Sequence, residues 1–299
     1  MKNHLIALLL AMRLPFLLLT CSVVLLAIAS AVATGHDIKV AHAVLIITGA
    51  LTAHISVNLL NEYQDFHSGL DAVTTKTPFS GGSGALITTP LAANFIAKMT
   101  VFFLIITIAI GLYFTLTVGL PILAIGLVGV SIIVLYTQWL NKKALLCLIA
   151  CGFSFGPLIV LGSYYVLASE INQGILLISL LPFFLTNNLL LINQFPDIEP
   201  DKSVGRNNFP IKYGIKLSLY VYLIFSLFAL INTMAIVHHY HLSVLSYIAL
   251  APILLPLLTI VVLMKQKKIM ANIVTAMLFS VISAIMTPLI LALAIVVNS

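Results

Sequence analysis

Nine stretches of spanning length, near 10–33, 40–61, 93–113, 118–138, 145–168, 174–194, 216–237, 243–263 and 272–296, contain only three Lys or Arg residues and no Asp or Glu. A helix must cross roughly 30 Å of hydrocarbon at 1.5 Å per residue, so about 20 apolar residues make one span. Charged residues make up 7% of the 299, against roughly 25% in a soluble globular domain, which excludes a water-soluble fold. The pattern predicts an all-α integral membrane protein with residues 1–299 forming one transmembrane domain. Pro15 is expected to separate an interfacial segment from the first span, and Pro252 and Pro256 to kink the eighth. Ala29-Ser30-Ala31 resembles a signal-peptidase site, but the run from Leu5 to Ala33 is too long and too broken for a signal peptide.

The connections between spans alternate in character. Lys2 and Arg13, Lys76, the Lys142-Lys143 turn, Lys202, Arg206 and Lys212, and the turn with Lys265, Lys267 and Lys268 fall on one side, flanked by Lys98 and Lys216. All 14 basic residues except Lys39 therefore share a face, which the positive-inside rule assigns to the cytoplasm of a bacterial-type inner or plasma membrane. The N-terminus is expected inside and the C-terminus outside. Basic residues spread between apolar runs argue for topology rather than nucleic-acid binding, and no obligate protein partner is evident. The opposite connections are short, and the one with His238, His239 and His241 reads as a solvated turn rather than a metal site. Cys21, Cys147 and Cys151 read as small core residues.

Six of the eight acids lie in two loops of the basic face: Glu62, Asp65 and Asp71 in one, Asp197, Glu199 and Asp201 in the other. Each loop has an Asn four residues before an Asp, Asn61 with Asp65 and Asn193 with Asp197. On a continuing helix Asn58, Asn61 and Asp65 share one face; beyond Asn193 the prolines at 196 and 200 leave helical continuity open. Paired carboxylates at this spacing suit hard divalent cations whose shells are completed by water and phosphate oxygens. Two clusters on one face predict a Mg²⁺-diphosphate site opening to the cytoplasm. Lys76, Lys202 and Arg206 stand near enough in sequence to contact phosphate oxygens. A single such cluster would read as an ordinary polar loop.

These residues resemble the UbiA superfamily of intramembrane prenyltransferases. Its first signature is approximated by Asn61-Glu62-Tyr63-Gln64-Asp65 with Gly69 and Asp71, and its second by Asp197, Asp201, Gly205 and Arg206. The run Thr77-Pro78-Phe79-Ser80-Gly81-Gly82-Ser83-Gly84, the segment Asn193 to Asp197, Leu135-Tyr136-Thr137, Lys142 and Phe155-Gly156-Pro157-Leu158 look like the 1,4-dihydroxy-2-naphthoate prenyltransferase branch. The resemblance covers roughly 10–214. It implies nine transmembrane helices around a central cavity and Mg²⁺ held by Asp65, Asp71, Asp197 and Asp201, with Glu62 in place of the usual first Asp. It also implies a polyprenyl diphosphate and an aromatic acceptor as substrates, and a lipid bilayer around the whole. In that reading Asn61 and Asn193 orient metal-bound groups, and Lys142 or Tyr136 contacts the diphosphate or positions the acceptor; Tyr136 reads equally well as an interfacial anchor. His54 reads as a buried hydrogen-bonded residue, and Gly152 with Gly156 as a helix-packing pair.

The chain departs from that branch at Glu62 and at Lys143-Ala144-Leu145-Leu146-Cys147, where relatives carry a longer polar stretch. The acceptor therefore stays open among dihydroxynaphthoate, 4-hydroxybenzoate, homogentisate and a non-aromatic lipid. A secondary transporter is the competing class, but it would place its ionisable groups near the midplane rather than at the mouth.

Overall fold

In the computed structural model, which describes residues 2–265 and 269–298, ten helices of ten or more residues carry most of the chain. They are α1 (Lys2–Ala11), α2 (Leu14–Ala33), α3 (Val40–Ser68), α4 (Ala93–Thr117), α5 (Leu120–Leu135), α6 (Ala144–Ala168), α7 (Gln173–Asn193), α8 (Phe209–His239), α9 (Val244–Met264) and α10 (Ile273–Asn298). No strand occurs among the described residues. Lys267 and Lys268 lie outside them.

Eight of these helices, all but α1 and α5, are long and apolar enough to cross a membrane. The expected span near 118–138 is α5, which at 16 residues rises only about 24 Å. It starts after Gly119, with Pro121 in its first turn, and stops at Leu135, so the nine-span count holds approximately. The break before α2 falls at Arg13, a non-glycine residue with φ 53°, and Pro15 then occupies a first-turn position that needs no N–H donor. A side-chain oxygen caps α7 and α8: Asn172 accepts from the Ile175 N–H at 3.0 Å and Asn208 from the Ile211 N–H at 3.2 Å. The long α8 breaks at Gly214, whose φ of 81° and ψ of 163° are not helical, so its membrane run begins close to the expected residue 216.

Within α6, residues Ser154–Leu161 form a wide π-type turn around Pro157, whose ring nitrogen has no proton to donate. Gly152 and Gly156 lie on the face of α6 that meets α7. A Cβ on Gly152 would collide with the Phe183 carbonyl and the Asn187 side chain, and one on Gly156 with the Ser179 carbonyl and the Phe183 backbone. The two backbones approach because both positions lack a side chain. Gly156→Ala is expected to destabilise the protein by about 1–3 kcal/mol, the usual effect of overpacking. Its unfolding midpoint in detergent should fall; an unchanged midpoint would mean that the contact relaxes freely.

The largest buried apolar cluster joins α2, α6, α7, α8, α9 and α10, with Leu26, Tyr164, Ile178, Leu181, Ile236, Ile253 and Leu291 at its centre. Large apolar side chains such as Phe102, Ile105, Leu116, Phe228 and Val262 point outward, as a lipid-facing surface requires. Helices α2, α3, α5, α6 and α7 wall a cavity of about 340 Å³ that reaches from the apolar interior to the two acidic loops.

Candidate active site

The mouth of the cavity is built by the ends of α3 and α7. Asn58, Asn61 and Asp65 occupy one face of α3 and all line the cavity. The Asn61 amide donates to Asp65 Oδ2 at 2.8 Å, while its own oxygen accepts from the Thr137 hydroxyl at 3.0 Å. Gly69, at φ 78°, ends α3, and the short helix Leu70–Val73 then turns Asp71 into the cavity. On the other side α7 stops at Asn193, and the helix Ile198–Ser203 begins after Asp197. The Asp201 N–H donates to the Asp197 carbonyl at 2.8 Å, so the two carboxylates stand one turn apart despite both prolines.

Arg206 joins the two motifs. Its Nη1 donates to Asp201 Oδ1 at 2.9 Å and its Nη2 to Asp65 Oδ1, residues distant in sequence. Asn208 donates to the second Asp201 oxygen at 2.8 Å. The glycine-rich loop closes the same mouth: the Gly81 N–H donates to Asp197 Oδ2 at 3.2 Å, and a Cβ on Gly82, at φ 74°, would strike the Asp71 carboxylate. Glycine at 82 thus allows backbone to lie directly on a carboxylate.

The structure gathers Asp65, Asp71, Asp197, Asp201, Asn61, Asn193, Tyr136 and Arg206 on the cavity wall. Glu62 is elsewhere: it is 1% exposed, lies outside the cavity lining, and accepts from the Ser83 and Leu86 N–H groups at 3.1 and 3.3 Å. That carboxylate anchors the glycine-rich loop. Lys76, Lys142 and Lys202 are exposed and do not line the cavity; Lys76 lies over Gly84 instead.

Several polar lining residues had no site role in the sequence reading, among them Arg13, Asn141, Ser154, Thr186 and Asn208. Arg13 was legible only as a topological charge, although a cation followed by Pro15 inside a span was itself a signal. Asn58 helps fix it, donating to the Met12 carbonyl at 3.0 Å. Asn208 caps α8 with its side-chain oxygen while its amide donates to Asp201.

Burial pushes the Asp71 carboxyl up to about 7, helped by the neighbouring Glu62 and Asp65 charges. Burial and then Asp201 raise Asp197 to about 6, and burial raises Asp201 in spite of Arg206. Burial works against the charge on Arg206, but Asp65 and Asp201 more than offset it and hold the guanidinium charged. Five cavity-lining residues keep a buried oxygen without a hydrogen-bond partner: Asp71 Oδ2, Asp197 Oδ1, Asn193 Oδ1 and Gln194 Oε1 at the mouth, and Thr186 Oγ1 deeper in the wall. Unmet oxygens with raised carboxylate pKa values fit a hard cation. Among the described residues no three His, Cys, Asp or Glu side chains form a ready metal site. Phosphate oxygens and water would have to complete the shell.

Fold and site together define a helical integral membrane protein with a polar, carboxylate-lined mouth above an apolar intramembrane cavity. The chain belongs to the UbiA prenyltransferase family, whose sequence profile matches residues 17–282. It is 32% identical over 168 residues to the 1,4-dihydroxy-2-naphthoate octaprenyltransferase of Bacillus subtilis, covering 56% of this chain and 53% of that one. It is 26% identical over 175 residues to the enzyme of the same name from Haemophilus influenzae, covering 57% of each. The matched stretch thus spans about half the length of these curated relatives. Among solved structures, a UbiA homolog from Archaeoglobus fulgidus bound to DMAPP and Mg²⁺ superimposes with a TM-score of 0.68 at 18% identity, over 97% of this chain and 99% of that one. A digeranylgeranylglyceryl phosphate synthase gives the same score and identity over 99% of both chains. At such identity these two likenesses establish the fold.

Proposed function

We infer that this protein transfers a polyprenyl group from an allylic prenyl diphosphate to an aromatic acceptor of the 1,4-dihydroxy-2-naphthoate type, as a step toward a menaquinone-type quinone. The observation that carries the reading is the meeting of the two aspartate motifs, through Arg206, over one apolar cavity. The names of the two bacterial relatives support the acceptor, and the DMAPP and Mg²⁺ of the archaeal homolog support the donor and the cation. Residues 1–299 act as one domain in the bilayer, with the mouth, the N-terminus and most basic residues on the cytoplasmic side and the C-terminus opposite.

In this reading Asp65, Asp71, Asp197 and Asp201 hold Mg²⁺, which when bound neutralises the diphosphate and makes it a better leaving group. The chain supplies the rest. Arg206, already between the motifs, is placed to donate to phosphate oxygens as charge develops on them. Asn61 orients Asp65, and Asn193 offers a free oxygen to the bound cation or its water. As the allylic carbon–oxygen bond breaks, its electron pair leaves with the diphosphate, an electron-rich ring carbon forms the new carbon–carbon bond, and the ring regains aromaticity by releasing the group that carbon carried, a proton or a carboxyl lost as CO₂. Phe16, Leu19, Ile133, Phe155 and Leu189 along the cavity exclude water that would quench the cation.

The test is a transfer assay with purified protein, a labelled polyprenyl diphosphate and four acceptors: dihydroxynaphthoate, 4-hydroxybenzoate, homogentisate and a non-aromatic lipid alcohol. Transfer to dihydroxynaphthoate at the highest kcat/KM is expected. Transfer to another acceptor alone would overturn the acceptor assignment, and transfer to none would overturn the enzyme reading.

A further inference from the structure

Below the acidic mouth the cavity wall is mostly apolar, with one further polar level. His54 lies on the cavity face of α3, 11 residues before Asp65, roughly 16 Å deeper at 1.5 Å per residue. Its Nδ1 is held by the Thr20 hydroxyl at 2.7 Å, and its ring meets Phe155 edge-on with centroids 5.1 Å apart. The ring is thereby fixed, and its Nε2 makes no hydrogen bond to another described residue.

Thr186 of α7 lines the same cavity, is 1% exposed, and its Oγ1 has no hydrogen-bond partner. Most helical threonines are satisfied locally: Thr48, Thr52, Thr100, Thr107 and Thr115 each return their hydroxyl to the carbonyl four residues back, and Thr287, the other buried threonine without a partner among the described residues, does not line the cavity. The close packing of Gly152 and Gly156 on Phe183, Asn187 and Ser179 sets this turn of α7 level with Ser154 and Phe155, and Phe155 is the residue that touches His54. Three helices therefore present a fixed imidazole, a free buried hydroxyl and the Ser154 hydroxyl at one depth. Ser154 gives its proton to the Ala150 carbonyl at 2.9 Å and keeps acceptor capacity.

We propose that His54 and Thr186 form the acceptor subsite, hydrogen-bonding the hydroxyl groups of the aromatic acceptor and thereby fixing which ring carbon faces the allylic carbon. An isoprenoid tail has no polar atom to satisfy either side chain, and burying them unpaired beside a tail would be unfavourable. A ring hydroxyl, both donor and acceptor, matches Nε2 in either tautomer and Thr186 Oγ1 in either role. The proposal rests on the prenyl-transfer reading and adds to it residues that select the acceptor.

The experiment compares wild type with His54→Phe, Thr186→Val and Thr186→Ser. Probes are 1,4-dihydroxy-2-naphthoate and its 1,4-dimethoxy analogue, followed both by transfer kinetics and by probe-induced shifts of the unfolding midpoint without any prenyl diphosphate. Wild type is expected to bind the dihydroxy probe more tightly than the dimethoxy one. His54→Phe and Thr186→Val should each raise the KM for the dihydroxy probe about tenfold, as loss of one buried hydrogen bond implies, and shrink the preference between the probes. The KM for the prenyl diphosphate should stay put, and Thr186→Ser should restore the preference. A changed prenyl diphosphate KM with an unchanged acceptor KM would overturn the proposal and make this level part of the tail channel. Unchanged probe binding in both variants would overturn it as well. If wild type transfers nothing, the enzyme reading fails first, and the midpoint shifts still decide whether the probe binds here.

Discussion

Arg206→Leu is expected to destabilise the cation-free protein by about 3 kcal/mol, because it leaves two buried carboxylates without their shared partner. Asp65 and Asp201 have side chains only 6% exposed, and each gives an oxygen to the guanidinium. Removing one member of a buried ion pair is far more damaging than replacing the pair, since the remaining charge cannot be resolvated. Two carboxylates then face each other across the mouth. Added Mg²⁺ should therefore raise the unfolding midpoint of Arg206→Leu more than that of wild type, a divalent cation taking over part of the guanidinium's work. Equal midpoints without Mg²⁺ would show that Arg206 does not hold the motifs together.

The larger effect on activity is expected from the aspartates. Asp65→Asn and Asp197→Asn keep size and hydrogen-bonding shape but remove a charge from each motif, and each should lower transfer by about 1000-fold, on the scale of losing a preorganised electrostatic group. Both positions line the cavity, and Asp197 keeps one oxygen unpartnered. The same logic gives a pH dependence. Asp71 and Asp197 have folded pKa values raised to about 7 and about 6, so as pH falls through that window they take up protons. A proton must leave before a cation binds, so apparent Mg²⁺ affinity should weaken as pH falls through the window and strengthen as it rises. In the cation-free protein the sign is opposite: a carboxyl raised above its unfolded value favours the folded state at low pH, and that contribution is lost as pH rises through the folded value.

Long apolar runs made the helices legible, because spanning length is set by the bilayer and not by tertiary contacts. Where sequence and structure differ, a local backbone effect intervenes. The turn after Leu135 ends α5 three residues before the expected 138, and α8 carries an added segment from Phe209 ahead of the break at Gly214. At the site, the aspartates and asparagines were readable because acids in an apolar chain stand out and their spacing repeats. Glu62 was not, since its motif position suggests a ligand while its partners, the Ser83 and Leu86 N–H groups, are supplied by a loop 21 and 24 residues away. Lys76, Lys142 and Lys202 shared the sequence neighbourhood of the acids but turn to the surface, a direction charge pattern alone does not encode. The inner level was hidden for the opposite reason: Thr186 looks like any helical threonine until its hydroxyl is found without a carbonyl partner.

The central claim is that the two aspartate motifs form one cation-diphosphate site. Its most direct test is equilibrium binding of a labelled prenyl diphosphate to purified protein, with and without Mg²⁺, in wild type, Asp65→Asn and Asp197→Asn. Tight binding that requires Mg²⁺ and is lost in either variant is the predicted result. Undiminished Mg²⁺-dependent binding in both variants would contradict it.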